Sequence, residues 1–328
     1  MTNTNPYRII ASYKFFSWPE GTDFKAKATE IELWALEHGI LGLLLIGKEG
    51  FNGTMSCPSE EARDLWLAKL QSFCAPLTFE YKESLSEFQP FRRAKVKVKK
   101  EIVTLGDETV LPASEKDHSH LSPEEWENFI RTKNPVVLDV RNDYEMEIGK
   151  FRTAKDWAMK EFTEFPKLVE DLELDKEEPV LMYCTGGIRC EKASIEMRRQ
   201  GYKNVYQLDG GILNYIKERP HGEFEGECFV FDHRVAVDQD LKPSLRYGLC
   251  VHCGQPASLD PLECVQCHAP AIVCTHCLED HQDDSSIQTC SKNCRHHYKM
   301  GHKSTKTHWD AKREYKKLST LPNKVKNA

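Results

Sequence analysis

Val180-Leu-Met-Tyr-Cys184-Thr-Gly-Gly-Ile-Arg189 sets four apolar residues directly before a cysteine, two glycines and an arginine. A run that short and apolar suits a strand buried on both faces of a parallel sheet, and the stretch onward to about Gln200 reads as helix. Two similar units flank it. Val136–Val140 is an apolar run ending in Asp139-Val-Arg141, and Val205–Leu208 leads through Asp209-Gly-Gly211 into a helix over Ile212–Glu218. Leu121-Ser-Pro-Glu-Glu125 has the form of a helix start, with Ser122 as cap, Pro123 in the first turn and two acids at the positive end of the dipole. Strands alternating with helices predict a doubly wound α/β domain over residues 121–225.

In such a sheet chemistry sits where strands end and loops begin, and Cys184 stands at that point. Thr185, Gly186, Gly187 and Ile188 are the residues of a loop whose N–H groups curl inward ahead of a helix N-terminus, an arrangement that cradles an anion. A thiol held there is expected to ionise near neutral pH, with Arg189 as a further cation for an anionic substrate. Free cysteine is also a common core residue, but a core cysteine has no need of two glycines and an arginine after it. Cys190 stands where it could resolve a persulfide or sulfenate, or simply pack the helix. Cys57, Cys74 and Cys228 read as structural.

Residues 1–105 form a separate unit. Arg8–Phe16, Ile40–Ile46, Thr54–Cys57, Thr78–Glu83 and Arg93–Thr104 read as strands. Asp23–His38 and Glu60–Phe73 read as helices, the second with Ser59 as N-cap. The order β-α-β-β-α-β predicts a ferredoxin-like α+β domain. From Ala94 to Lys99 the chain alternates strictly, so Ala94, Val96 and Val98 are expected on the core face and Lys95, Lys97 and Lys99 on the other. With Arg92 and Arg93 these lysines are candidates for phosphate contact, although a solvated edge strand carries the same pattern. Residues 106–120 are polar and read as a linker.

Eight of the thirteen cysteines fall in Cys250-x2-Cys253, Cys264-x2-Cys267, Cys274-x2-Cys277 and Cys290-x3-Cys294. Each close pair chelates from one knuckle, and two pairs complete a four-thiolate site, so residues 226–297 read as a module with two structural zinc ions; an iron–sulfur cluster is the competing occupant. Spacing leaves open which pairs share an ion, and whether His252, His268, His276, His281, His296 or His297 replaces a cysteine. Lys292–Ala328 carries eleven Lys and Arg against Asp310 and Glu314, a net +9 on a chain of −6. Residues 298–328 therefore read as a disordered basic tail, either a polyanion handle or a solubilising end. No apolar run approaches the ~18 residues of a membrane span. Met1-Thr-Asn-Thr-Asn-Pro has no leader features, so a cytoplasmic location is expected.

Cys184-Thr-Gly-Gly-Ile-Arg189 after its strand resembles the active loop of the rhodanese superfamily. Leu138-Asp-Val-Arg-Asn-Asp-Tyr-Glu145 and Leu208-Asp-Gly-Gly-Ile212 resemble that fold's other signatures, with Tyr215 near where Trp is common. In rhodaneses the cysteine becomes a persulfide, which by position is Cys184. Gly47-Lys-Glu-Gly-Phe-Asn-Gly-Thr54, Phe88-Gln-Pro-Phe91, Lys97-Val-Lys-Lys-Glu-Ile-Val103, Gly226-Glu-Cys-Phe-Val-Phe-Asp232 and the cysteine-rich end resemble, in the same order, the bacterial tRNA uridine hydroxylases. The resemblance spans the chain to about Cys294. It implies oxygen-dependent conversion of the wobble uridine to 5-hydroxyuridine, with molecular oxygen as co-substrate and the tRNA anticodon region as partner. Cys184 would be essential, assisted by its loop and Arg189. No dinucleotide fingerprint for a flavin or nicotinamide is present. The alternative is a sulfurtransferase carrying a Cys184 persulfide to a small-molecule, protein or tRNA acceptor. A binding scaffold with an inert rhodanese fold is a third possibility, and the intact loop argues against it.

Overall fold

The structure, a computed structural model, describes residues 6–113, 118–155 and 157–302, and divides into two compact units, one ending at 243 and the other built mainly from residue 244 onward.

The first unit opens with the expected β-α-β-β-α-β order: β1 (Tyr7–Phe15), α1 (Phe24–Glu37), β2 (Leu41–Gly47), β3 (Gly50–Cys57), α2 (Glu60–Cys74) and β4 (Tyr81–Ser86), followed by β5 (Ala94–Val98). The sheet runs β4-β1-β3-β2-β5, antiparallel except that β5 lies parallel to β2 at the edge. Ser59 caps α2 by accepting from the Ala62 N–H, and Asp23 caps α1 through the N–H groups of Lys25 and Ala26, contacts worth about 1 kcal/mol each. Ile31 and Ala35 of α1 and Trp66 and Leu70 of α2 pack on Leu44, Ile46, Phe51 and Met55 of the sheet. This is the ferredoxin-like domain anticipated from the sequence. One detail differs: Ala94 and Val96 are buried, but Val98 is 42% exposed. It is the last residue of an edge strand, where the core that its alternation points toward has run out.

The α/β domain follows, with β6 (His120–Leu121), α3 (Pro123–Lys133), β7 (Val136–Asp139), α4 (Asp143–Met146), β8 (Gly149–Phe151), β9 (Ala154–Lys155), α5 (Phe165–Glu170), β10 (Val180–Tyr183), α6 (Ile188–Arg199), β11 (Val205–Leu208), α7 (Gly211–Glu218) and β12 (Phe224–Gly226). Its five-stranded parallel sheet has the order β6-β11-β10-β7-β9, with β10 at the centre. Ser122 and Glu125 form a reciprocal capping box on α3. The stretch that reads as a polar linker is packed in part. Leu105 and Val110 lie in the same core as Val140, Val180, Met182 and Met197, and His120 already belongs to a strand. Val110, with Leu105 just ahead of the stretch, is enough to fasten it down.

The second unit holds two short hairpins, Tyr247–Leu249 with Pro256–Ser258 and Leu262–Glu263 with Pro270–Ala271, and two helices, α8 (Thr275–Asp280) and α9 (Lys292–Lys299). Among the described residues no helix is long and apolar enough to cross a membrane. The basic stretch expected over 298–328 lies, from residue 303 on, outside the described residues.

Candidate functional site

Cys184 sits at the C-terminal end of the central strand β10, 1% exposed, where the chain turns into α6. The turn is held from outside by α7: the Ile212 N–H donates to the Cys184 carbonyl at 3.0 Å and the Leu213 N–H to that of Thr185 at 3.1 Å. Gly211, at φ +66°, makes that approach possible, since a Cβ there would stand 2.5 Å from the Cys184 carbonyl and 2.8 Å from the Gly187 nitrogen. Gly187 takes φ +102°, a left-handed geometry open to glycine, and so aims its N–H at the Cys184 Sγ, 3.1 Å away.

The electrostatics favour a thiolate. Burial pushes the thiol up. It is outweighed by the hydrogen bond from the Cys190 thiol, the charge of Arg189 and the N–H groups of Cys190 and Arg189, and the net value falls to about 6. Cys190 moves the opposite way, raised well above the ordinary thiol range by burial and by the neighbouring Cys184. The pair is therefore one anion and one proton donor.

Arg189 does not reach outward. Its guanidinium forks onto Glu145 of α4, with Nη1 to Oε2 at 2.7 Å and Nη2 to Oε1 at 2.9 Å, and both residues are buried. Thr185 Oγ1 also donates to Glu145 Oε1, at 3.2 Å. Burial alone would raise the Glu145 carboxyl, but Arg189 and, more weakly, Arg141 and the Asn142 N–H hold it below the usual carboxylate range. The cation expected to bind an anionic substrate is thus engaged inside the protein, and acts on Cys184 through its charge. Nothing in its sequence position marks Glu145 as a partner of Arg189, although it closes the Leu138–Glu145 motif. A second buried pair, Asp139–Arg141, links β7 to the Gly149 carbonyl of β8.

The ferredoxin-like domain reaches the same helix. Tyr13 of β1 donates to Glu191 Oε1 at 2.9 Å, and a Cβ on Gly187 would lie 3.0 Å from its hydroxyl oxygen. His120 and Gln207 complete the shell around Glu191. The next residue, Lys192, is fully buried between Glu49 at 2.9 Å and Glu101 at 2.7 Å. No local sequence signal marks Tyr13 or Lys192, because their partners are about 90 to 180 residues away. The candidate phosphate-binding residues Arg92, Arg93, Lys95, Lys97 and Lys99 are all exposed on or beside the edge strand, with Lys95 paired to Glu32 at 3.4 Å.

The eight clustered cysteines gather into two groups, Cys250, Cys253, Cys274 and Cys277, and Cys264, Cys267, Cys290 and Cys294. The first and third knuckles share one site and the second and fourth the other, a cross-brace, and among the described residues no histidine enters either group. Within them Cys253–Cys274, Cys250–Cys277, Cys267–Cys290 and Cys294–Cys267 stand 3.5, 3.9, 3.5 and 3.7 Å apart, sulfur to sulfur. A tetrahedron with zinc–sulfur bonds of ~2.3 Å has edges of about 3.8 Å, so the donor sets fit such an ion. The two hairpins repeat one geometry. Each places a knuckle at its turn, with the Cys250 N–H donating to the Gln255 carbonyl and the Cys264 N–H to that of Ala269. Helices α8 and α9 bring the third and fourth pairs.

A UPF0176 acylphosphatase-like domain model matches residues 7–102, a rhodanese-like domain model 122–218 and a rhodanese C-terminal model 225–295. A Bdellovibrio bacteriovorus protein named tRNA uridine(34) hydroxylase is 44% identical over 90% of this chain and 82% of its own. A Prochlorococcus marinus protein of the same name is 37% identical over 85% and 90%. A solution structure of a rhodanese-like domain from Anabaena is 21% identical over 34% of this chain and 80% of that one, with a TM-score of 0.29.

Proposed function

The chain belongs to the tRNA uridine(34) hydroxylase family, and from that premise we propose that it converts the wobble uridine of tRNA to 5-hydroxyuridine, with Cys184 as the reactive group. The observation that carries this is a buried thiol held near pKa 6, its Sγ accepting the Gly187 N–H at 3.1 Å. A thiolate is a strong nucleophile at neutral pH. Addition to C6 of a uracil ring moves electron density to C5, the atom that gains oxygen, and later loss of the thiolate and of the C5 proton restores the double bond. One atom of O2 enters at C5 and the other leaves as water, the balance being completed by two protons and by two electrons from an external two-electron reductant. The ring must be splayed out of its stack to meet a buried thiol, which single-stranded anticodon loops permit.

The chain's residues divide the work. The loop N–H groups hold the anion, Arg189 lowers its pKa, and Glu145 fixes Arg189. Residues 1–105 and the basic edge strand with Arg92, Arg93, Lys95, Lys97 and Lys99 supply sequence-independent phosphate contact. Two zinc ions, held by Cys250, Cys253, Cys274 and Cys277 and by Cys264, Cys267, Cys290 and Cys294, supply folding energy to the C-terminal module rather than chemistry. The substrate sets the location, the bacterial cytoplasm.

Purified protein and its Cys184→Ser variant are incubated with unmodified tRNA, with and without oxygen, and the nucleosides are weighed. Oxygen-dependent gain of one oxygen on uridine, lost in the variant, is the expected result. A thiolated base, or brisk sulfane-sulfur transfer from thiosulfate without oxygen dependence, overturns it in favour of a sulfurtransferase.

A further inference from the structure

Gly226-Glu-Cys-Phe-Val-Phe-Asp232 carries an apolar surface out beside the Arg189 guanidinium. Cys228, Phe229 and Val230 are buried, whereas Phe231 leaves 60% of its surface in solvent. Its ring is braced. Phe229 meets it edge-on with centroids 5.0 Å apart, and Tyr144 meets Phe229 edge-on at 5.4 Å. The line of rings runs from α4, at the residue before Glu145, out to the surface. Phe231 is also adjacent to the charge that governs Cys184: the Arg189 guanidinium carbon lies 5.8 Å from its ring centroid. Held by Glu145, that guanidinium is fixed over one face of the phenyl ring.

We infer that Phe231 is a stacking platform for the pyrimidine ring of the uridine that is to be modified. This rests on the hydroxylation reading. A base leaving its stack loses π contacts on both faces, and a braced, exposed aromatic beside Arg189 replaces one of them. Uracil is electron-poor and flat, and it offers no positive charge to clash with Arg189. The platform therefore suits a neutral base better than an amine or a cationic peptide. Phe231 acts by contact with substrate, so it tunes capture of the base and leaves the ionisation of Cys184 alone.

The test uses the full chain and an anticodon stem-loop RNA with 5-iodouridine at the wobble position, whose photochemistry joins the base to an aromatic ring stacked on it. Peptide mass spectrometry is expected to locate the adduct on Phe231. In parallel, Phe231→Ala is expected to raise KM for unmodified tRNA about tenfold and Phe231→Tyr to stay within about twofold, as stacking on any aromatic allows. The Cys184 titration should be unchanged in both. An adduct confined to other residues, or an unaltered KM in Phe231→Ala, overturns the proposal. So does a shifted Cys184 titration, which would mean that Phe231 acts through Arg189. The two readings fail separately. An adduct on Phe231 without 5-hydroxyuridine keeps the platform and removes the reaction, and 5-hydroxyuridine without that adduct does the reverse.

Discussion

The hydroxyl of Tyr13 donates to Oε1 of Glu191 at 2.9 Å, joining the first strand of the chain to the first turn of the helix that begins at the thiol loop. One residue further along that helix, Lys192 is clasped by Glu49 and Glu101. The helix carrying the Cys184 cradle at its N-terminus is thus pinned at two successive residues by the neighbouring domain.

Lys192→Met leaves two carboxylates facing each other without their cation. The expected cost is about 3–5 kcal/mol at pH 7, as for other buried pairs that lose one partner. The deficit shrinks at pH 5, where protonating one acid relieves the repulsion. Urea unfolding at both values checks this, and an equal deficit at both would show that the loss is one of packing alone.

The Cys184 thiol ionises at about 6 in the folded chain, against roughly 8.5 for a free thiol. A depressed acid contributes stability that is complete above the free value and lost as pH falls through the folded one. Wild type should therefore gain stability relative to Cys184→Ser between about pH 6 and 8.5, and thiolate absorbance of wild type minus variant should have its midpoint near 6. Cys190→Ala removes a donor and should raise that midpoint.

Arg189→Ala and Glu145→Ala should each destabilise by about 3–5 kcal/mol, because each strands the other charge in the interior. The double variant should cost less than the two single losses combined. Arg189→Lys should not rescue, since an ammonium cannot span both carboxylate oxygens. Of these, only Arg189→Ala should raise the Cys184 titration strongly, because it removes the charge that Arg189 supplies. A double-mutant cycle with thiolate titration measures both effects.

Metal content distinguishes the cross-brace from sequential pairing. Cys250→Ser with Cys274→Ser strikes a single site and should cost one of two metal equivalents, whereas Cys250→Ser with Cys264→Ser strikes both. Sequential pairing would reverse the two results. Chelation should unfold the C-terminal module and leave unfolding of the first unit in place.

Local signals carried the sequence reading furthest. Ser59 and Ser122 announce their helices because a cap and its partner lie three residues apart, and the short apolar-rich runs of β7, β10 and β11 suit buried strands. Cysteine spacing gives the knuckles but not their partners, since both pairings use the same spacings. Glu145 stands in a recognisable motif, yet its partner Arg189 lies forty-four residues further along the chain. Tyr13 and Lys192 carry no pattern of their own, because their roles exist only once two domains have met. Val98 shows the converse limit: alternation assigns a face, but at the end of an edge strand there is nothing left for that face to meet.

The doubly clasped lysine bears on how this rhodanese unit can be reused. A stand-alone copy cut from the chain at residue 105 would keep Lys192 and lose Glu49 and Glu101, so it would inherit an orphaned charge in the helix that follows its own thiol loop. The unit is not a portable cassette. Recombination that trades it into another protein would have to rewrite the start of α6 or carry the first domain along, and the two halves are bound to travel as a single heritable block.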